Sequence, residues 1–230
     1  EIVAQATAAW TKHPEARSII EIGGQDSKYI VVGRSPDGTP FLQDHAFNEL
    51  CAAGTGAFLD QQAERLKLSI EAFGALARDA ARAARMAGRC SVFAKSDMIH
   101  LQQAAVPVDE IAAGLCRALA RTYLAALCRG RAPAAPVLFQ GGGARNPGVV
   151  RAFREFLGLG ADGLIVPDGC ELMGAFGAAV IAGERPLKTP MGLGRLLAAF
   201  AQHEAPEPAP GALTPLTRRP TAAQPAAAGP

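Results

Sequence analysis

Two glycine clusters, each directly after a short apolar run, constrain the fold of this chain most strongly. The run from Arg17 to Glu21, with its Ser-Ile-Ile core, predicts a strand buried on both faces, and it leads into Gly23-Gly24. Val137 to Phe139 predicts a second buried strand, which leads into Gly141-Gly142-Gly143. Because glycine has no Cβ, backbone N–H groups in such loops come close to an anion. Each loop is therefore a candidate phosphate site.

The segment after the first loop predicts a hairpin. Tyr29 to Gly33 is a second strand, so Gly23 and Gly24 occupy the turn between two strands. Gln25 and Asp26 of this turn carry groups that can orient a water or a hydrated Mg²⁺ at a terminal phosphate. An ordinary glycine hairpin without a ligand also explains the glycine pair. Both interpretations stay open on these residues alone.

The second loop is followed by a helix signal. Pro147 suits the first turn of a helix that is predicted to run to Leu157. A strand, a glycine loop and a helix in this order are typical of nucleotide sites.

In the alanine-rich helix near the end of the folded part, Gly174 and Gly177 allow the close approach of another segment or a ligand, and helix packing is the favoured interpretation.

Apolar periodicity elsewhere predicts alternating helices and strands, and thus an α/β fold. Further helices are expected over residues 1–10, 58–66, 69–86, 109–128 and 171–182, and further strands over residues 41–47 and 164–167. Between residues 90 and 101 the pattern changes from strand-like to helix-like, with Ser96 as the expected N-cap.

Five cysteines without an export signal argue against a disulfide framework. Cys51 precedes a small-residue turn that opens a helix, where unpaired N–H groups and the helix dipole would lower the thiol pKa. Cys90 repeats this arrangement, so the two thiols are candidate metal ligands, with simple burial as the alternative. Cys116 and Cys128 are predicted to be structural, and Cys170 has no evident partner.

Charge and hydropathy restrict the partners. A net charge of +2 with scattered Lys and Arg gives no support to nucleic-acid or membrane-surface binding. No apolar run approaches the roughly 20 residues of a membrane helix, and we expect a cytoplasmic protein. Residues 204–230 are rich in proline and alanine and predict a disordered tail.

Five segments stand in the order seen in one protein family. They are Glu21-Ile-Gly-Gly-Gln-Asp-Ser-Lys28, Cys51-Ala-Ala-Gly-Thr-Gly56, Cys90-Ser-Val-Phe-Ala94, Gly141-Gly-Gly-Ala-Arg-Asn146 and Met173-Gly-Ala-Phe-Gly-Ala178. Over residues 15–185 the chain resembles the ATP-dependent activases of 2-hydroxyacyl-CoA dehydratases and benzoyl-CoA reductases, the BadF/BadG/BcrA/BcrD ATPases, and most closely the large multi-domain activases. The resemblance implies the α/β fold of actin, hexokinase and the heat-shock chaperone ATPases, the ASKHA fold, in which two lobes close over a nucleotide.

The resemblance also implies a site. Gly23 to Asp26 would form the second phosphate loop for ATP or ADP with Mg²⁺, with Gln25 and Asp26 as catalytic residues. Gly141 to Gly143 would form the adenosine loop. Cys51 and Cys90 would hold a [4Fe–4S] cluster. Since such a cluster usually takes four thiolates, two subunits would each supply a pair, which implies a homodimer with a shared cluster.

The implied activity is electron transfer gated by ATP hydrolysis. Reduced ferredoxin or flavodoxin would donate the electron, and a 2-hydroxyacyl-CoA dehydratase or benzoyl-CoA reductase component would accept it. Residues 1–203 would form a partial ATPase domain, in which residues 1–50 complete a first lobe and residues 51–203 form the second. The first phosphate loop of the family is expected upstream of Glu21, outside the twenty residues that precede it here.

Two other functions fit the same residues. One is a cluster-holding dimeric module for electron transfer or scaffolding, without ATPase activity. The other is an ASKHA-fold kinase without a cluster, in which Cys51 and Cys90 only pack.

The sequence departs from the family at Lys95, in the stretch Phe93-Ala-Lys-Ser-Asp97, where the family often carries an acidic residue. The acyl-CoA substrate of the partner enzyme does not follow from the sequence.

Overall fold

The computed structural model describes residues 1–48, 54–86, 91–184 and 192–201. The chain divides into two compact units, Glu1–Pro186 and Leu187–Pro230. The second unit contributes one described helix, α8, at Leu193–Ala201. None of the helices in the described ranges has the length and apolar character needed to cross a bilayer. The expected tail over residues 204–230 lies outside the described residues.

One mixed sheet organises the first unit. Its strands are β1 at Ser18–Ile22, β2 at Ser27–Arg34, β3 at Pro40–Asn48, β4 at Val137–Gln140 and β5 at Leu164–Ile165. The order across the sheet is β3-β2-β1-β4-β5. Strands β1 to β3 pair antiparallel as a meander, whereas β4 lies parallel to β1 and to β5. Strands from both sides of the predicted boundary at residue 50 thus belong to one sheet.

Helices cover both faces of this sheet. The helices of the first unit are α1 at Ile2–Lys12, α2 at Gly56–Arg65, α3 at Ile70–Asp79, α4 at Ser91–Gln103, α5 at Val108–Leu127, α6 at Pro147–Leu157 and α7 at Met173–Glu184. On one face, Ile20 and Ile22 of β1 pack into a core with Phe73, Leu115 and Phe153 of α3, α5 and α6.

The opposite face carries the second core. Ile19 of β1 packs there with Ala6 and Ala9 of α1 and with Met173 of α7. Because successive side chains of a strand point to opposite faces, burial of all of β1 requires a helical layer on each side. The prediction that this strand is buried on both faces is confirmed.

Two sequence-based boundaries are wrong. The helix predicted over residues 69–86 ends at Asp79, where the Arg151 guanidinium of α6 donates to the carbonyl oxygens of Arg78 at 2.8 Å and Ala80 at 2.7 Å. These bonds satisfy carbonyl groups that a continued helix would have used. The predicted change from strand to helix before Ser96 is also wrong, because α4 is helical from residue 91 onward.

Close packing of α1 against α7 depends on Gly177. A Cβ added there would overlap the carbonyl oxygen of Ala4 and would lie 3.0 Å from the backbone nitrogen of Ala8. The backbone atoms cannot move aside without separating the two helices. The interpretation of this small residue as a packing residue is confirmed.

We therefore expect Gly177→Ala to lower the free energy of unfolding by about 1–3 kcal/mol, the usual cost of an added methyl in a full core. The matched control is Gly183→Ala in the same helix, where an added Cβ meets nothing within 4 Å. That control should be neutral or stabilising by up to about 1 kcal/mol, because alanine favours helix. Urea denaturation followed by circular dichroism measures both, and equal stabilities of the two variants would contradict the prediction.

Candidate nucleotide site

The two glycine loops leave the sheet at the same edge. β1 and β4 are parallel neighbours with Glu21 paired to Gln140, so the loops that follow them begin side by side. Gly141 has φ of +88°, and a Cβ there would lie 2.8 Å from Glu21 Oε1 and would overlap the Ile22 carbonyl oxygen. Only glycine meets both conditions. The convergence of the loops is thus built into the sheet.

The start of α2 is fastened to the first loop. The N–H groups of Gly56 and Ala57 donate to the carbonyl oxygens of Gly23 at 2.8 Å and Gly24 at 2.7 Å. The expectation that the first N–H groups of this helix are unpaired is therefore wrong for Gly56 and Ala57. The loop and the helix instead share two hydrogen bonds that couple their positions.

A cavity of about 610 Å³ opens beside the loops. Its lining residues come from the two loops, from α2 and α3, and from the start of α6: Gly23, Gly24, Gly56, Leu59, Asp60, Ile70, Glu71, Gly142, Gly143, Arg145, Asn146 and Pro147. Leu59, Ile70 and Pro147 supply apolar surface, while the charged side chains supply a few polar groups. This size and composition are those of small-molecule and cofactor sites.

A second cavity of about 550 Å³ borders the same loops and has a different character. It shares Gly23, Gly24 and Gly142 with the first cavity, and Glu1, Glu21 and Glu171 make its lining acidic. The glycine loops therefore border a mainly apolar space and an acidic one. An apolar space can hold the base of a nucleotide. An acidic space can hold a cation that is bound to the nucleotide's phosphates.

A buried lysine organises the acidic residues near the loops. The Lys28 side chain is 1% exposed, and its Nζ lies 3.1 Å from Glu21 Oε2, 2.9 Å from Asp26 Oδ1 and 3.0 Å from Glu1 Oε1. Burial raises the pKa of Glu21 to about 7, although the Lys28 ammonium opposes this shift. Burial disfavours the Lys28 ammonium too, but the hydrogen bond to Asp26 and the charge of Glu21 outweigh it and raise the lysine pKa.

The predicted site residues divide into two groups. Gly23, Gly24 and Gly142 line both cavities, Gly143 lines the first and Gly141 the second. In contrast, Gln25 and Asp26 lie on the loop but are not among the described residues that line either cavity.

The side chains of these two residues are placed differently. Gln25 is exposed, and the Asp26 carboxylate is bound by Lys28 beside Gly23. Sequence reasoning missed Glu21 and Glu1, although Glu21 ends the strand that leads into the first loop.

Asn146 connects the second loop to α6. Its Oδ1 accepts hydrogen bonds from the backbone nitrogens of Gly148 at 3.0 Å and Val149 at 3.2 Å, which caps the helix. Pro147 occupies the first turn, as predicted. The side-chain nitrogen of Asn146 is buried and makes no hydrogen bond in the structure.

The two proposed cluster ligands, Cys51 and Cys90, lie outside the described residues. Cys116, Cys128 and Cys170 are buried free thiols. Burial raises the pKa of Cys116 and Cys170, and raises that of Cys128 to about 12. Neutral buried thiols are poor ligands, and within the described ranges no group of three or more His, Cys, Asp or Glu side chains could hold a metal ion. The predictions that Cys116 and Cys128 are structural are consistent with these positions.

We expect iodoacetamide at pH 8 to alkylate Cys116 and Cys128 at least about 100-fold more slowly in the folded protein than in urea, because reaction needs an accessible thiolate. Since the Cys128 pKa is raised to about 12, its folded-state rate should keep increasing with pH above 9 rather than level off. Peptide mass spectrometry measures each site. Native rates within about threefold of the rates in urea would contradict the assigned burial.

Comparison with known proteins shows relatives of this chain. The 2-hydroxyisocaproyl-CoA dehydratase activator of Clostridioides difficile is 35% identical over 170 residues, which cover 74% of this chain and 60% of that protein. The (R)-2-hydroxyglutaryl-CoA dehydratase activating ATPase of Acidaminococcus fermentans is 32% identical over 188 residues, covering 82% and 69%. The chain thus spans about 60% of the length of the Clostridioides difficile relative.

Solved structures agree with the sequence relatives. Component A of the Acidaminococcus fermentans (R)-2-hydroxyglutaryl-CoA dehydratase superposes with a TM-score of 0.72 at 30% identity, covering 80% of this chain and 68% of that one. The activator of the 2-hydroxyisocaproyl-CoA dehydratase from Clostridium difficile, with bound ADPNP, gives 0.71 at 29% identity, covering 83% and 70%. The predicted ASKHA-type α/β fold is confirmed. With residues 1–182 matched, the chain belongs to the BadF/BadG/BcrA/BcrD ATPase family.

Proposed function

We propose that this chain is the nucleotide-binding part of an ATP-dependent activator that transfers an electron from a [4Fe–4S] cluster to a 2-hydroxyacyl-CoA dehydratase or benzoyl-CoA reductase type enzyme. The observation that carries the nucleotide role is the convergence of two glycine loops on one sheet edge, between an apolar and an acidic cavity. Family membership and the ADPNP-bound relative support it.

The two loops leave room for a nucleotide because their glycines carry no side chains. A Cβ added at Gly24 or Gly142 would meet nothing within 4 Å, so both loops leave open room beside their backbone. In the proposal the phosphates lie at Gly23 and Gly24, and the base and ribose occupy the cavity walled by Leu59 and Ile70 beside the adenosine loop, Gly141 to Gly143. Gln25 and Asp26 stay candidates for orienting water or hydrated Mg²⁺ there.

The cluster part of the proposal depends on Cys51 and Cys90, as a pair from each of two subunits. The described cysteines do not compete for this role, because Cys116, Cys128 and Cys170 are buried and burial raises the pKa of each thiol. A bound [4Fe–4S] cluster would supply one-electron transfer. The names of relatives that activate acyl-CoA dehydratases support a dehydratase partner. Four further features stay predictions. They are the homodimer, the ferredoxin or flavodoxin electron donor, the cytoplasmic location and the extent of the ATPase domain, residues 1–203.

Nucleotide binding is tested with Gly142→Leu. We expect this variant to keep the wild-type melting temperature and to lose at least about tenfold in affinity for MgADPNP, because the side chain fills cavity space rather than protein core. Gly160→Leu is the control, since a Cβ there also meets nothing within 4 Å and the residue lines neither cavity. Isothermal titration calorimetry measures the affinities. Equal affinities of the two variants would contradict the assigned site.

The cluster is tested by anaerobic purification with iron and sulfide analysis. We expect broad absorption near roughly 400 nm and about four irons per dimer in the wild-type chain. Both should be lost in the double variant Cys51→Ala, Cys90→Ala and retained in Cys116→Ala. A colourless, iron-free wild type would favour the kinase alternative. Iron without ATP hydrolysis in the intact polypeptide would favour the electron-transfer module.

A further inference from the structure

Lys28 is held in place by four segments of the chain. It is the second residue of β2 and lies directly opposite Glu21 in the β1–β2 register. Its ammonium contacts Glu21 on β1, Asp26 in the turn and Glu1 ahead of α1, at 2.9–3.1 Å. From α5, the Tyr123 hydroxyl donates to the Lys28 carbonyl oxygen at 2.5 Å. The side chain therefore has a defined position without any ligand.

The position of Lys28 fixes the orientation of Glu21. Glu21 Oε2 accepts the hydrogen bond from Lys28, which leaves Oε1 on the side of the glycine loops. Cβ atoms added at Gly141 and Gly23 would lie 2.8 Å and 3.5 Å from this Oε1. Glu21 also lines the acidic cavity. One oxygen thus binds the lysine while the other lies where the two loops meet.

Lys28 cannot act on a ligand directly. It is 1% exposed and is not among the described residues that line either cavity. Three carboxylates surround the single ammonium, so the group as a whole is acidic when ionised. Such a group disfavours bare phosphate oxygens but accepts hydrogen bonds from water on a phosphate-bound cation. An orienting role through Glu21 is what this geometry supports.

We propose that Lys28 is a positioning residue of the phosphate site, which holds the Glu21 carboxylate between the two glycine loops so that it favours the magnesium complex of the nucleotide. This inference rests on the proposed nucleotide function. Glu21 is the group that faces the ligand, and Lys28 acts only through it.

A double-mutant cycle tests the inference. Isothermal titration calorimetry compares ADPNP affinity with and without Mg²⁺ for the full 230-residue wild-type chain, Glu21→Gln, Lys28→Met and the combined variant. Lys12→Met is the control for loss of one positive charge, since Lys12 contacts Phe176 and lies in the last turn of α1. Melting temperatures without nucleotide or metal are recorded for each protein.

We expect Mg²⁺ to raise the wild-type affinity at least about tenfold, and Glu21→Gln and Lys28→Met each to abolish most of that gain. The combined variant should equal Glu21→Gln rather than fall about tenfold further. It should also melt above Lys28→Met alone, because removing both charges leaves no buried carboxylate unpaired. Lys28→Arg, which keeps the positive charge and changes the hydrogen-bond geometry, replaces Lys28→Met in this comparison where Lys28→Met fails to fold.

Two results would overturn the positioning role while the nucleotide function stands. In the first, Lys28→Met, or Lys28→Arg where Lys28→Met does not fold, keeps the wild-type gain from Mg²⁺, which makes Lys28 and Glu21 a structural ion pair only. In the second, the combined variant loses far more affinity than Glu21→Gln, which means that Lys28 acts by contacts of its own. A folded wild type that binds no ADPNP would instead contradict the nucleotide function, and this role with it.

Discussion

Parallel pairing between β1 and β4 is the interaction on which the rest of the site depends. It joins two parts of the chain that are far apart in sequence and makes both glycine loops start at one sheet edge. Helical layers on both faces bury these strands, so the pairing is stabilised by two apolar cores rather than by its four residue pairs alone. The N–H groups at the start of α2 then donate hydrogen bonds to the first loop, which places α2 beside the candidate nucleotide site.

A buried charge group centred on Lys28 lies at the same edge of the sheet. Removing an ammonium from water costs several kcal/mol, and a single carboxylate seldom offsets that cost. Lys28 meets three carboxylates from three segments, which reduces the cost but leaves the group acidic. Well-packed apolar residues would hold a hairpin at least as well. The arrangement is therefore better explained by the orientation it gives to Glu21 than by stability.

The sequence predicted the features that depend on local pattern. Apolar runs located β1 and β4, proline located the start of α6, and the resemblance linked the two glycine loops to one site. What it missed depends on contacts between distant residues. The end of α3 is set by Arg151 from α6, and the pairing of Lys28 with Glu21 places a carboxylate at the loops. Neither contact leaves a periodic signal in the chain, and Cys51 and Cys90 lie outside the described residues.

The hydrogen bonds between the first loop and α2 connect the two halves of the proposed function. Gly23 and Gly24 border both cavities, and their carbonyl oxygens are held by the first two N–H groups of α2. Neither the loop nor the helix can move by itself without breaking both bonds, each worth about 1 kcal/mol. Since Cys51 immediately precedes the turn that opens α2 in the sequence, a nucleotide at the loops and a cluster at that cysteine would act on the same helix. The proposed nucleotide and cluster roles would therefore depend on one structural element, α2.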